Sequence, residues 1–115
     1  MNKAELVERI LGGEFWIVGE CRGVRIDGRK YCDKKTGKAM PYVAILYIVE
    51  RSRTFEHLLV QQRMPSNIID PSQVVAPIGK GDVCAFPIES MEKKDGILVS
   101  VRMGTASPEK LEAAD

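Results

Sequence analysis

The chain has 115 residues, of which 44% are hydrophobic and 29% charged, and its formal net charge is +1. That length suits one domain with one modest core, and the balance is that of a folded globular protein rather than a disordered chain. The longest apolar run, Val43 to Val49, is far short of the ~20 residues of a membrane span, so no membrane partner is expected.

Asn2 to Leu11 reads as a short helix. Asn2 is placed to cap it and Glu5 stands three residues on, as in a capping box. Leu6, Val7, Ile10 and Leu11 share one stripe, which suits packing on the domain's own core; a docking helix for a partner chain is the other use of such a stripe. Gly12 and Gly13 end the helix. Glu5 and Glu8 interrupt the apolar stretch, which is wrong for a secretory leader. Three cysteines, an odd number with no CxxC pair, argue against a disulfide framework and fit a reducing compartment. A cytoplasmic location is therefore expected. The three cysteines and His57, the only histidine, lack zinc-knuckle spacing, so neither metal nor cofactor is expected.

From Glu14 the pattern changes to strands. Glu14 to Ile26 forms one long candidate with Gly19 and Gly23 inside it, and interior strand glycines mark bends, bulges or close backbone approaches. A long bent first strand is what a small closed barrel needs. Asp27-Gly28 is a turn signal of the two-residue hairpin kind. Asp33 to Lys38 is a clearer turn, with Asp33 at its first position and Gly37 supplying a positive φ. Cys21 to Met40 thus reads as a ribbon or loop projecting from the barrel. Tyr42 to Glu50 predicts a central strand, covered on both faces or set at a subunit interface. Phe55 to Arg63 predicts a shorter one. The proline-containing stretch Met64 to Gly79 is a long connection with a helical turn at Pro71, capped by Asp70. Val83 to Ile88 and Ile97 to Met103 complete five strands, with Pro87 pointing to an edge or a bulge. Glu92 to Gly96 is a polar hairpin tip between them. The division expected is a helix over 1–13, a barrel over 14–103 and a polar tail over 104–115 of the kind that frays.

No enzyme signature stands out. His57 is alone, no serine elbow or paired carboxylates occur, and Gly79-Lys80-Gly81-Asp82 lacks the setting of a phosphate loop. Charge is the distinctive feature. Between Cys21 and Lys38, Arg22, Arg25, Arg29, Lys30, Lys34, Lys35 and Lys38 stand against Asp27 and Asp33, a local charge of +5. A cationic ribbon on a nearly neutral chain suits a polyanion, although solvation alone also explains such runs. Single-strand binders join cations that follow the phosphates to flat side chains on which bases stack. Tyr31 lies between Arg29-Lys30 and Lys34-Lys35, where burial is hard, and is the leading stacking candidate. Tyr42 and Tyr47 point to opposite faces of one strand, so one suits the core and the other a ligand or subunit. Trp16 suits the core, and Phe55 suits either role. Arg51 and Arg53 add charge at the far end of the second strand.

The bent strand Phe15 to Ile26, the basic hairpin around Tyr31 and Asp33-Lys34-Lys35-Thr36-Gly37-Lys38, the Gly81-Asp82-Val83 entry to the fourth strand and the closing strand Ile97 to Arg102 together resemble phage-type single-stranded DNA-binding proteins of the oligonucleotide-binding (OB) fold. These include the gene-V-like helix-destabilising proteins of filamentous phages. The resemblance covers residues 14–103. It implies a mainly β, five-stranded OB-like Greek-key barrel with a short N-terminal helix, acting without catalysis on single-stranded DNA in replication or recombination. It further implies phosphate contacts from Arg22, Arg25, Arg29, Lys34, Lys35 and Lys38, stacking by Tyr31, and a homodimer or higher homo-oligomer. The N-terminal helix and the proline-containing connection depart from the phage pattern. A protein–protein adaptor or assembly subunit on the same barrel, using Tyr42 to Val49 as its interface, is the alternative.

Overall fold

The computed structural model describes residues 1–51 and 57–112, with the backbone alone for residues 97–100. Helix α1 spans Lys3–Leu11, and seven strands follow: β1 Trp16–Cys32, β2 Ala39–Glu50, β3 His57–Arg63, β4 Val83–Pro87, β5 Ser90–Lys94, β6 Ile97–Arg102 and β7 Glu109–Lys110. They form one sheet in the order β5-β6-β3-β2-β1-β4-β7. Every pairing is antiparallel except that of β3 with β6.

On a flat sheet β6 and β4 would lie about 19 Å apart, at ~4.8 Å per strand. Yet Val101 of β6 and Cys84 and Phe86 of β4 belong to one buried cluster with Ile45, Tyr47, Val49 and Val60. The sheet therefore curls into a half-barrel around its inner face. The rings of Tyr47 and Phe86 meet there at 5.7 Å, tilted by 60°. Ile78, buried in the connection after β3, completes the lining.

β1 serves both halves of the curl. Its first residues, Trp16 to Glu20, pair with β4, and from Glu20 to Cys32 it pairs with β2. The register shifts between Cys21 and Gly23, so Arg22 is the extra residue of a bulge, and bulges bend a strand in this way. A Cβ on Gly19 would stand 2.6 Å from Val49 Cγ1 and 2.7 Å from the Glu50 carbonyl oxygen. The glycine thus marks the close backbone approach where the curl is tightest.

Several expectations need correction. Among the described residues there are seven strands rather than five, and the sheet has free edges at β5 and β7 rather than a closed seam. The extra strands carry little signal: β5 is exposed and strongly charged, and β7 has two residues. Asp27-Gly28 is not a turn. Asp27 pairs with Ala44 and Gly28 with Val43 inside a continuous ladder. Twelve paired positions outweigh a two-residue preference, and Gly28 serves packing instead, since a Cβ there would come within 3.1 Å of Pro71 Cγ. Residues 109–110, expected in a fraying tail, add to β4 opposite Ala85 and Cys84. Of the stripe on α1 only Leu6 is buried, and Val7, Ile10 and Leu11 stay exposed. The helix is held as well by an ion pair from Arg9 to Glu109 at 2.9 Å.

Other local readings match the fold. The Asn2 side chain accepts from the Glu5 amide at 2.8 Å. Asp70 caps a 3-10 turn at Pro71–Gln73, and the amide of Ser72 bonded to its carboxylate lowers its pKa. Asp33 accepts from the Gly37 amide at 2.7 Å through its carbonyl and from the Lys35 amide at 3.0 Å through its carboxylate. Gly37 has φ +69°. Asp95 and Gly96, both with positive φ, make the tight turn between β5 and β6. No helix of the described residues is long and apolar enough to cross a membrane.

Candidate nucleic-acid interface

Residues paired directly across strands project to the same face of a sheet. Arg29 pairs with Tyr42, Asp27 with Ala44, Ala44 with Arg63, Leu46 with Gln61, Gln61 with Arg102, and Arg102 with Ser90. These pairings run across five strands on the face opposite the core. Tyr31 joins them two residues beyond Arg29.

The side chains converge. The Tyr31 and Tyr42 rings lie 5.9 Å apart and tilted by 60°. The Arg63 guanidinium sits over both, 4.8 Å from the Tyr31 centroid and 4.7 Å from that of Tyr42. Such contacts are worth about 0.5–1 kcal/mol each at exposed sites. Arg29 donates to Gln61 Oε1 at 3.2 Å and approaches Asp27 at 3.6 Å. Together with Glu89, Ser90, Arg102 and Gly104 these residues line an open cleft of about 350 Å³.

The expected site residues fall into three places. Arg29, Tyr31 and Tyr42 are in the cleft, Tyr31 being 41% exposed. Lys34, Lys35 and Lys38 are exposed on the loop joining β1 to β2, and Lys30 is exposed just before it. None of these four lysines forms an ion pair among the described residues. Arg22 lies at the other end of the ribbon, about 24 Å from Arg29 at ~3.4 Å per residue. It bonds Glu20 and Glu50, each at 3.2 Å, and Glu50 also meets His57 at 3.3 Å. Arg25 pairs with Asp27 at 2.9 Å. Exposed Arg51 follows β2, and Arg53 and Phe55 lie outside the described residues. The net basicity of the ribbon thus concentrates at its tip, because carboxylates on neighbouring positions answer the arginines nearer its base.

Nothing in the sequence singles out Arg63, Gln61 and Arg102 as site residues. Alternation within Leu59-Val60-Gln61-Gln62-Arg63 does put Gln61 and Arg63 on one face, but only the β2–β3 register carries them to the ribbon's tyrosines. Tyr47 is fully buried and its hydroxyl donates to Gln62 Oε1 at 2.5 Å, while Gln62 donates on to Ser107 at 3.0 Å. Trp16 is half-buried beneath Arg9, whose guanidinium lies 5.5 Å from its ring, away from the cleft.

The cysteines divide by burial. Cys32 is exposed near the ribbon tip, whereas Cys21 and Cys84 are buried. Burial pushes the Cys21 thiol up and that of Cys84 up to about 11 from 9.0. A disulfide-exchange dye at mildly alkaline pH is expected to titrate Cys32 alone in the native protein and all three thiols after unfolding. Because the folded-state value of Cys84 is the higher one, its share of stability is intact below about pH 9 and is lost as pH rises toward 11. Three thiols titrating together at pH 8 would contradict that burial.

Comparison with protein-family models, with curated proteins and with solved structures returns no match.

Proposed function

We propose that this protein binds single-stranded DNA without sequence selectivity and without catalysis, in replication or recombination. The observation that carries the reading is the joining, on one ribbon, of two partly accessible tyrosines and Arg29 to a lysine-rich loop, with Arg63 reaching the tyrosines from β3. Lysines 30, 34, 35 and 38 attract phosphates, and Tyr31 offers a stacking surface worth about 1–3 kcal/mol per base. An OB-like arrangement fits this use, since such barrels bind oligonucleotides on the face of strands 2 and 3 and on the loop between strands 1 and 2. A few phosphate contacts and one or two stacked bases give modest affinity per copy, so several copies on one strand, as a homodimer or an array, would supply the avidity.

Binding of fluorescent oligo-dT at rising salt tests the reading. Affinity is expected to fall steeply, with a log–log slope of about −0.7 per phosphate engaged. One observation favours the adaptor reading instead: Gly23, Leu46, Ile48 and Leu59 border an apolar groove of about 270 Å³, with Ile48 and Leu59 exposed. Absence of oligo-dT binding even at low salt would favour that second use.

A further inference from the structure

The cleft is richer in guanidinium groups than a track along a phosphate backbone requires. Three guanidinium groups, Arg29, Arg63 and Arg102, line it against one carboxylate, Glu89. Arg63 forms no ion pair among the described residues and is held by the two tyrosine rings. The other two arginines are only loosely matched. Arg29 lies 3.6 Å from Asp27, whose closer partner is Arg25, and Arg102 lies 3.8 Å from an exposed Glu92. The Arg102 pair is exposed and contributes little, and Arg29 shares its half-buried carboxylate with Arg25, so both guanidiniums keep donors for an anion that can take several at once.

An internal phosphodiester carries a single negative charge and has two free oxygens. A phosphomonoester carries close to two charges at neutral pH and has three acceptor oxygens, and it suits a three-arginine cleft better. The position of Glu89 adds to the argument. It lies on the wall formed where β4 gives way to β5, across the cleft from the ribbon. A carboxylate there repels any phosphate brought beside it, so the terminal group is expected on the arginines away from Glu89, and a strand that runs on past that wall is disfavoured.

Resting on the single-strand reading, we propose that the cleft is a strand-end site: it holds the terminal phosphomonoester of a DNA strand on Arg29, Arg63 and Arg102, with the terminal base against Tyr31. The rest of the strand leaves toward Lys34, Lys35 and Lys38. The chemistry is common to 5′- and 3′-phosphorylated ends, and the test separates them.

Affinities are compared for oligo-dT of one length carrying a 5′-phosphate, a 3′-phosphate or neither. One phosphorylated end is expected to bind about tenfold tighter than the unphosphorylated strand, a difference of ~1.4 kcal/mol. In Arg102→Gln, and separately in Arg63→Gln, that ratio is expected to fall toward one while circular dichroism stays unchanged. Equal binding of all three strands by the unaltered protein overturns the end site and leaves single-strand binding standing. Failure of all three to bind overturns both readings. A ratio that survives in both variants overturns the assignment of the cleft.

Discussion

Replacing Lys34 and Lys35 together by glutamate is expected to weaken oligo-dT binding by roughly 10- to 100-fold at low salt, and to flatten the log–log salt dependence by about 1.4 if each lysine engages one phosphate of a single strand. Two cations become two anions at the exposed tip of the ribbon, beside Lys30 and Lys38. The fold has no stake in these ammonium groups, since neither lysine forms an ion pair among the described residues. What Lys35 gives the turn is its backbone amide, which donates to Asp33, and glutamate supplies the same group. Lys3→Glu with Lys80→Glu makes an equal charge change outside the ribbon, and its affinity is expected to stay near that of the unaltered protein. Titration of both double variants at two salt concentrations separates a local contact from a general loss of positive charge. Unaltered affinity in the Lys34/Lys35 variant would remove the ribbon tip from the interface.

The second large effect lies in the core. Phe86→Ala is expected to cost about 3–5 kcal/mol, the usual range for deleting a buried aromatic side chain. Phe86 is fully buried, meets the Tyr47 ring at 5.7 Å, and stands on β4 between β1 and β7. Its ring fills space between two ends of the sheet that only the curl brings together, so no single neighbour can close over the gap. Against a total stability of about 5–15 kcal/mol for a domain, this is a large fraction. Urea unfolding followed by circular dichroism should show the transition midpoint move to lower denaturant. A loss below about 1 kcal/mol would contradict a packed contact at this position.

Where local chemistry decided the structure, the sequence could be read directly. Asn2 and Glu5 announce α1, Asp33 and Gly37 announce the ribbon turn, and Asp70 with Pro71 announces the 3-10 turn. The run Val43 to Val49 announces the central strand, because few other settings cover so many apolar residues. The failures arose where pairing at a distance overrode a local preference. Asp27-Gly28 has the composition of a turn, but the register set at Asp33 to Lys38 carries both residues along the ladder, where Val24 and Ile26 pack against the core. β5 lacks apolar alternation and forms because β6 offers it an edge.

The candidate site was half legible for the same reason. Arg29, Tyr31 and Tyr42 belong to one hairpin, and a reading of that hairpin finds them. Arg63 and Arg102 belong to strands whose parallel pairing depends on the path of the chain between them. Nothing in their immediate neighbours marks either residue as a companion of Tyr31.

The ribbon's far half rests on little support. β3 pairs with β2 no further than Ala44, while β1 and β2 continue together to Cys32 and Ala39. Past Val43, whose carbonyl still accepts from the Met64 amide at 2.9 Å, two strands stand without a third, and such pairs are marginal in water. Arg63 leaning on the two tyrosines and Arg29 reaching Gln61 are the side-chain tethers to β3. An anion that recruits these guanidiniums competes for the groups that brace the arm. Occupancy of the cleft and the posture of the arm are then linked equilibria, each shifting the other by the same free energy.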